Sequence, residues 1–218
     1  MYEVKHVLSV NGVDIYQAWL DTVQDTRSKA RITTRVDRAA LGHFGITEPV
    51  GDGVFEMTLD FGPGFRVYYA IQDRKNCFPV GRWLKGQTAE RHPSGQGSLE
   101  ILQGAAKMTI RTRSHEDSVL EMLRNDEAFA LEYLSVALEE IDEAGGEDAF
   151  LVAVRRVAEA RGGMLSLSQN TGLNRANLYR SIAVGGDPKL STLLKVLQAL
   201  GVGMSKVVSH RTEQDVRA

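Results

Sequence analysis

The side chains best arranged to act on another molecule lie in Leu167-Ser168-Gln169-Asn170-Thr171-Gly172-Leu173-Asn174-Arg175-Ala176-Asn177-Leu178-Tyr179-Arg180. Ser168 is small and stands four residues before Gly172, as a close crossing of two helices requires. Gly172 can take the positive φ of the turn between them. Leu173 and Leu178 are spaced to plug a core beneath the second helix, and Asn174 suits its N-cap. Gln169, Asn174, Arg175, Ala176, Asn177 and Arg180 are then left facing outward, near the part of a recognition helix that enters a DNA groove. Arg can pair with guanine and Asn with adenine through two hydrogen bonds, or both can hold phosphates. The plainer alternative is an ordinary helical hairpin with a glycine turn. A second basic feature is the row Arg27, Arg31, Arg35 and Arg38, spaced three or four residues apart and so on one helix face. Such a row commonly reads as a solvated face.

The elements that must position these residues fall into two groups. Residues 2–10 alternate loosely and predict a strand, broken at Asn11-Gly12. Asp14 can cap a helix carrying Ile15, Trp19, Leu20 and Val23. A second helix is predicted from about Thr26 to Leu41, with Ile32, Val36, Ala39 and Ala40 inward. Period two then takes over: Phe55, Met57, Leu59 and Phe61, a Gly62-Pro63-Gly64 turn, then Phe65, Val67, Tyr69 and Ile71. This predicts a hairpin with one buried face, on which Arg66 could pair with Glu56 or Asp60. A last short strand is predicted at Cys77-Phe78-Pro79-Val80. Residues 81–107 lose periodicity and read as a linker. Beyond them the chain reads as helix throughout, with Asp117, Asp126 and Asp148 as helix starts and Gly145-Gly146, Gly162-Gly163 and Gly201 as stops. The predicted fold class is therefore two domains. Residues 1–80 form a small α+β domain of order β-α-α-β-β-β, and residues 108–218 form an all-α helix-turn-helix domain.

Composition bounds the function classes. The chain has 218 residues, 43% apolar and 25% charged, enough to bury a core in each half. Its 26 Lys and Arg nearly balance 28 Asp and Glu, so net charge gives no sign of nucleic-acid binding. The balance is uneven: from Phe150 onward ten basic residues face four acidic ones, a footprint suited to phosphate. Cys77, alone, can form neither an intrachain disulfide nor a structural zinc site, and fits a reducing cytoplasm. No apolar run approaches the ~18 residues of a membrane span, and the N-terminus shows no signal-peptide core. The expectation is a cytoplasmic protein with no metal and no cofactor.

Two stretches also resemble known families. Arg35 and Arg38, followed by Gly53-Val54-Phe55-Glu56-Met57, Phe61-Gly62-Pro63-Gly64-Phe65 and Arg66-Val67-Tyr68-Tyr69, resemble the HigB-type killer proteins of the RelE/ParE toxin superfamily. Residues 108–205 resemble the HigA-type antidote. The resemblance lies in Tyr133-Leu134, Ala137-Leu138, Phe150-Leu151, Ala158-Glu159-Ala160-Arg161-Gly162-Gly163-Met164, Thr171-Gly172-Leu173, Leu178-Tyr179, Asp187-Pro188 and Thr192-Leu193-Leu194-Lys195-Val196-Leu197. The resemblance implies a RelE/ParE-like fold for the first half and a lambda-repressor-like fold for the second. By the same resemblance the first half would act on messenger RNA at the ribosome. Arg66 would be its catalytic or phosphate-binding residue, and Arg31, Arg35 and Arg38 would hold RNA. The second half would bind operator DNA as a homodimer and sequester the toxin.

The family pattern fails after the last strand. Its glycine-rich Asp-Lys-x-x-Gln segment and closing helix are replaced by Phe78-Pro79-Val80-Gly81-Arg82-Trp83-Leu84-Lys85-Gly86-Gln87-Thr88. Codons allowed for residues 77–100, read one base forward, permit Gly-Gly-Gly-Ser-Lys-Gly-Arg-Gln, close to the missing segment. A frameshift would carry translation through the toxin's end into the antidote, whose former start would be Met108-Thr109-Ile110. The resulting expectation is a fused type II toxin–antitoxin protein. It would act as a sequence-specific DNA-binding autorepressor whose mRNA-interferase-like half is neutralised or inactive. The alternative is a self-inhibited, still active ribosome-dependent endoribonuclease.

Overall fold

Alternating apolar residues and well-placed helix caps build the N-terminal region around one mixed sheet. The computed structural model describes residues 1–62, 64–72, 76–82 and 111–202. They fall into two units, Met1–Ser118 and Val119–Ala218.

The first unit runs β1 (Glu3–Val7), α1 (Ile15–Asp21), α2 (Thr26–Ala40), β2 (Thr47–Gly51), β3 (Val54–Leu59), β4 (Phe65–Gln72), β5 (Asn76–Arg82) and β6 (Thr112–Ser114). The sheet order is β2-β3-β4-β5-β1-β6. β3 and β4 form the predicted hairpin, in register from Val54 opposite Ala70 to Leu59 opposite Phe65. Met57, Leu59, Phe65, Val67 and Tyr69 are buried on one face, as their alternation requires. Asp14 caps α1, accepting from the Gln17 amide at 2.9 Å, and Asp25 caps α2, accepting from Ser28 at 2.8 Å. Tyr16, Trp19 and Leu20 of α1 and Ile32, Val36 and Ala39 of α2 are buried. Trp19 meets Phe65 edge to face at 6.3 Å, joining α1 to the sheet.

The element order departs from the sequence reading by two added strands. β2 is an edge strand with exposed Glu48, Pro49 and Val50, so it lacks the alternation that marks a half-buried strand. β6 has three residues and owes its place to β1, with Lys5 opposite Ser114 and Val7 opposite Thr112. β1 in turn runs parallel to β5 on its other side. The first unit therefore extends to Ser118. The boundary expected near Met108 and residues 83–107 of the expected linker lie outside the described residues, while Gly81 and Arg82 belong to β5.

The chain is helical from His115: α3 (His115–Asn125), α4 (Glu127–Glu139), α5 (Gly146–Ala160), α6 (Gly163–Thr171), α7 (Arg175–Ser181) and α8 (Leu190–Ala199). Asp126 caps α4, accepting from Phe129 at 2.9 Å. α3 starts before Asp117, which lies in its first turn, because β6 runs straight into it. α5 starts at Gly146 rather than Asp148; a Cβ there would sit 2.1 Å from the Glu140 carbonyl oxygen, so only glycine fits. Phe129, Tyr133 and Leu134 of α4 and Phe150, Val154 and Val157 of α5 are buried. The buried Arg156 donates to the Tyr133 hydroxyl at 2.8 Å, which satisfies two polar groups that burial would otherwise penalise.

Candidate nucleic-acid interface

α6 and α7 are joined at Gly172, whose φ of 66° closes the turn. No atom lies within 4 Å of where its Cβ would be, so the backbone conformation, not crowding, calls for glycine. Ser168 donates from Oγ to the Leu173 carbonyl at 2.7 Å, tying the first helix to the turn. Asn174 caps α7 by accepting from Ala176 at 2.9 Å and Asn177 at 3.3 Å. Leu178 anchors the helix at 1% exposure, which is worth about 1.5–3 kcal/mol; Leu173 is half-buried.

Gln169, Asn174, Arg175, Ala176, Asn177 and Arg180 are all exposed. They are not independent. Arg180 donates to Asn177 Oδ1 at 2.6 Å, which ties the two side chains together on the helix surface. The Arg175 guanidinium lies 5.6 Å from the Tyr179 ring centroid, and the exposed Arg155 of α5 lies 5.8 Å from the same ring. Arg155 is a cation beside the α7 surface that sequence reasoning did not single out. Its helical spacing marks it as outward but says nothing of what faces it.

In the first unit the arginine row divides. Arg35 is buried, its guanidinium donating to the His43 carbonyl at 2.7 Å and to the Phe44 carbonyl, and so fastens α2 to the loop before β2. Arg31 lies over the Phe61 ring at 4.1 Å, and Arg38 is half-buried. Arg66 of β4 pairs with Glu56 of β3, Nε to Oε1 at 2.8 Å, and Tyr68 donates to the other oxygen of Glu56 at 2.6 Å. This ion pair is one of the two cross-hairpin pairings the alternation allowed.

A buried polar chain, absent from the sequence reading, crosses the same unit. Asp14 Oδ2 lies 2.8 Å from His6 Nδ1, His6 Nε2 lies 2.8 Å from His115 Nδ1, and His115 Nε2 lies 3.2 Å from Asp37 Oδ1. Burial pushes the Asp14 carboxyl up, but hydrogen bonding and charge from His6, the Gln17 amide and Arg113 outweigh it and hold the group below the usual carboxylate range. Among the described residues no group of three or more His, Cys, Asp or Glu is arranged to hold a metal ion. No described helix is long and apolar enough to cross a membrane.

Residues 114–208 match a family model described as "Probable addiction module antidote protein". A curated relative from Haemophilus influenzae (strain ATCC 51907 / DSM 11121 / KW20 / Rd), described as "Uncharacterized protein", is 40% identical over 58 residues, which are 27% of this chain and 59% of the relative. The match thus spans less than two thirds of that relative's length. No solved structure matches the chain. The family match falls largely on the helical region and covers less than half of the chain.

Proposed function

We propose that the protein is a fused addiction-module antidote and toxin-like unit whose surviving activity is sequence-specific DNA binding at its own operator. The observation that carries this reading is the α6–Gly172–α7 hairpin within the antidote-like region, with Arg175, Asn177 and Arg180 exposed on one short helix. Such a helix enters the major groove with its first residues against base edges. Two copies, as a homodimer, would present two such helices about one DNA turn apart and favour a palindromic operator. The excess of basic residues after Phe150 would add contacts to phosphate.

The toxin-like unit is proposed to be neutralised rather than active. Arg66, the candidate for handling an RNA phosphate, is paired with Glu56, and Arg35 of the candidate RNA-holding row is turned to backbone carbonyls. Lys85 and Gln87 of the altered segment lie outside the described residues.

Binding of the full-length protein to promoter DNA, followed by fluorescence anisotropy across a salt series, tests the reading. Wild type is expected to bind with a steep salt dependence, and Arg175→Ala to weaken operator binding by about 1–3 kcal/mol, more than it weakens binding to random DNA. Absence of binding at low salt, or an unchanged affinity in that variant, rejects this surface. Growth arrest and mRNA cleavage on expressing the full chain, both lost in Arg66→Ala, would instead favour the self-inhibited endoribonuclease.

A further inference from the structure

The buried Asp14–His6–His115–Asp37 chain can be counted proton by proton. His6 Nδ1 faces the Asp14 carboxylate, which only accepts, so that nitrogen carries a proton. His115 Nε2 faces Asp37 in the same way and carries another. The two inner nitrogens, His6 Nε2 and His115 Nδ1, stand 2.8 Å apart, a distance that needs one proton between them and no more. With none, two lone pairs face each other; with two, N–H faces N–H. The two rings therefore hold three protons and one positive charge, shared between flanking carboxylates.

Both rings and one of the two carboxylates are shut away from bulk water. His6 is 0% exposed, His115 2% and Asp37 3%. Other described groups also face the pair. Ser118 Oγ of α3 lies 3.4 Å from His6 Nδ1, 3.5 Å from Asp14 Oδ2 and 3.3 Å from its own Ser114 carbonyl, with one hydroxyl hydrogen to share among them. Tyr16 of α1 packs its ring 4.5 Å from His6. Arg113 of β6 acts on Asp14 through charge.

The position of the pair gives it a consequence. His6 sits on β1, and His115 follows directly on β6, the short strand that pairs with β1 from Lys5–Ser114 to Val7–Thr112. Three residues of ladder make a weak edge, and the imidazole bond lies at its end, where the chain turns into the helical region. We infer that residues 111–118 form a proton-operated latch on the N-terminal unit, closed by the single proton between His6 and His115 and opened when acid adds a second. The added proton sets two imidazolium rings against each other across 2.8 Å in a buried site, which strips β6 and the first turn of α3 from β1. This inference rests on the first unit alone and stands whatever the helical region binds.

The test is hydrogen exchange on the full-length protein, followed by mass spectrometry as the pH is taken from neutral into mild acid. Rates are corrected for intrinsic chemical exchange. Protection of residues 111–118 is expected to fall about tenfold or more on the acid side, while β3 and β4 keep theirs. His115→Gln, which has no titrating ring, is expected to lose this local pH dependence. Should that variant fail to fold, nitrogen NMR of the wild-type histidine rings decides. A scalar coupling across the His6–His115 hydrogen bond is expected at neutral pH and is expected to vanish together with the protection of 111–118. Protection that is flat with pH, a fall shared equally by β3 and β4, an unchanged pH dependence in His115→Gln, or no coupling at neutral pH would each overturn the latch.

Discussion

At the scale of single residues, identity proved a poor guide to role wherever a side chain could turn inward. Arg35 belongs by spacing to a basic helix face, yet it is buried and bonded to two loop carbonyls. Asp14 was legible as a helix cap and is one, but the same carboxylate also holds His6. That second bond has a measurable effect. Its native pKa is lowered, so the stability it contributes is present above the ordinary carboxylate value and is lost as pH falls through the native one. Asp14→Asn is therefore expected to cost about 1–2 kcal/mol at pH 7 by urea unfolding. The gap between the two proteins should close as pH drops below about 4. A gap that stays constant into acid would mean that the charge on Asp14 contributes nothing.

At the scale of elements, the helical hairpin is written locally. Its cap, turn and anchor lie within 15 residues, from Ser168 to Ile182, and each acts on backbone or core next to it. Gly172 tests how far that local logic reaches. Because space around it is open, a side chain there meets only the backbone cost of positive φ. Gly172→Val is expected to destabilise the hairpin by about 1–2 kcal/mol, whereas Gly172→Asn, tolerant of the left-handed region, should lose much less. Thermal melts of the two variants separate the cases; equal losses would show that something other than φ demands glycine. The β3–β4 hairpin was equally legible, since alternation on neighbouring strands carries its own register. β2 and β6 were not, because neither owes its existence to a pattern in its own residues.

At the scale of the whole molecule, the chain is organised by where it re-enters the first sheet. β6 lies beyond the expected linker, yet it is an edge strand of the N-terminal sheet. Covalent linkage keeps β6 at high effective concentration beside β1, and the His6–His115 bond holds it there once docked. A protease site inserted after Gly95 allows the covalent link to be cut. The two fragments are expected to co-elute at neutral pH in gel filtration, because the C-terminal one carries β6 and His115. Separation without denaturant would show that the docked strand does not hold without the tether.

What the sequence determined by itself is what neighbouring residues can enforce: a strand-bearing group of elements followed by a helical one, the capped helices, the alternating hairpin and the exposed polar surface of α7. Hydrophobic period and capping chemistry act over a turn or two, so they can be read in order along the chain. Only the tertiary structure decided that Thr112–Ser114 closes the first sheet, that Arg35 is an interior tie, and that His6 meets His115 across 109 positions. Those pairings have no period and no fixed spacing. They exist because burial leaves each polar group to find a partner among whatever the fold brings within hydrogen-bond reach.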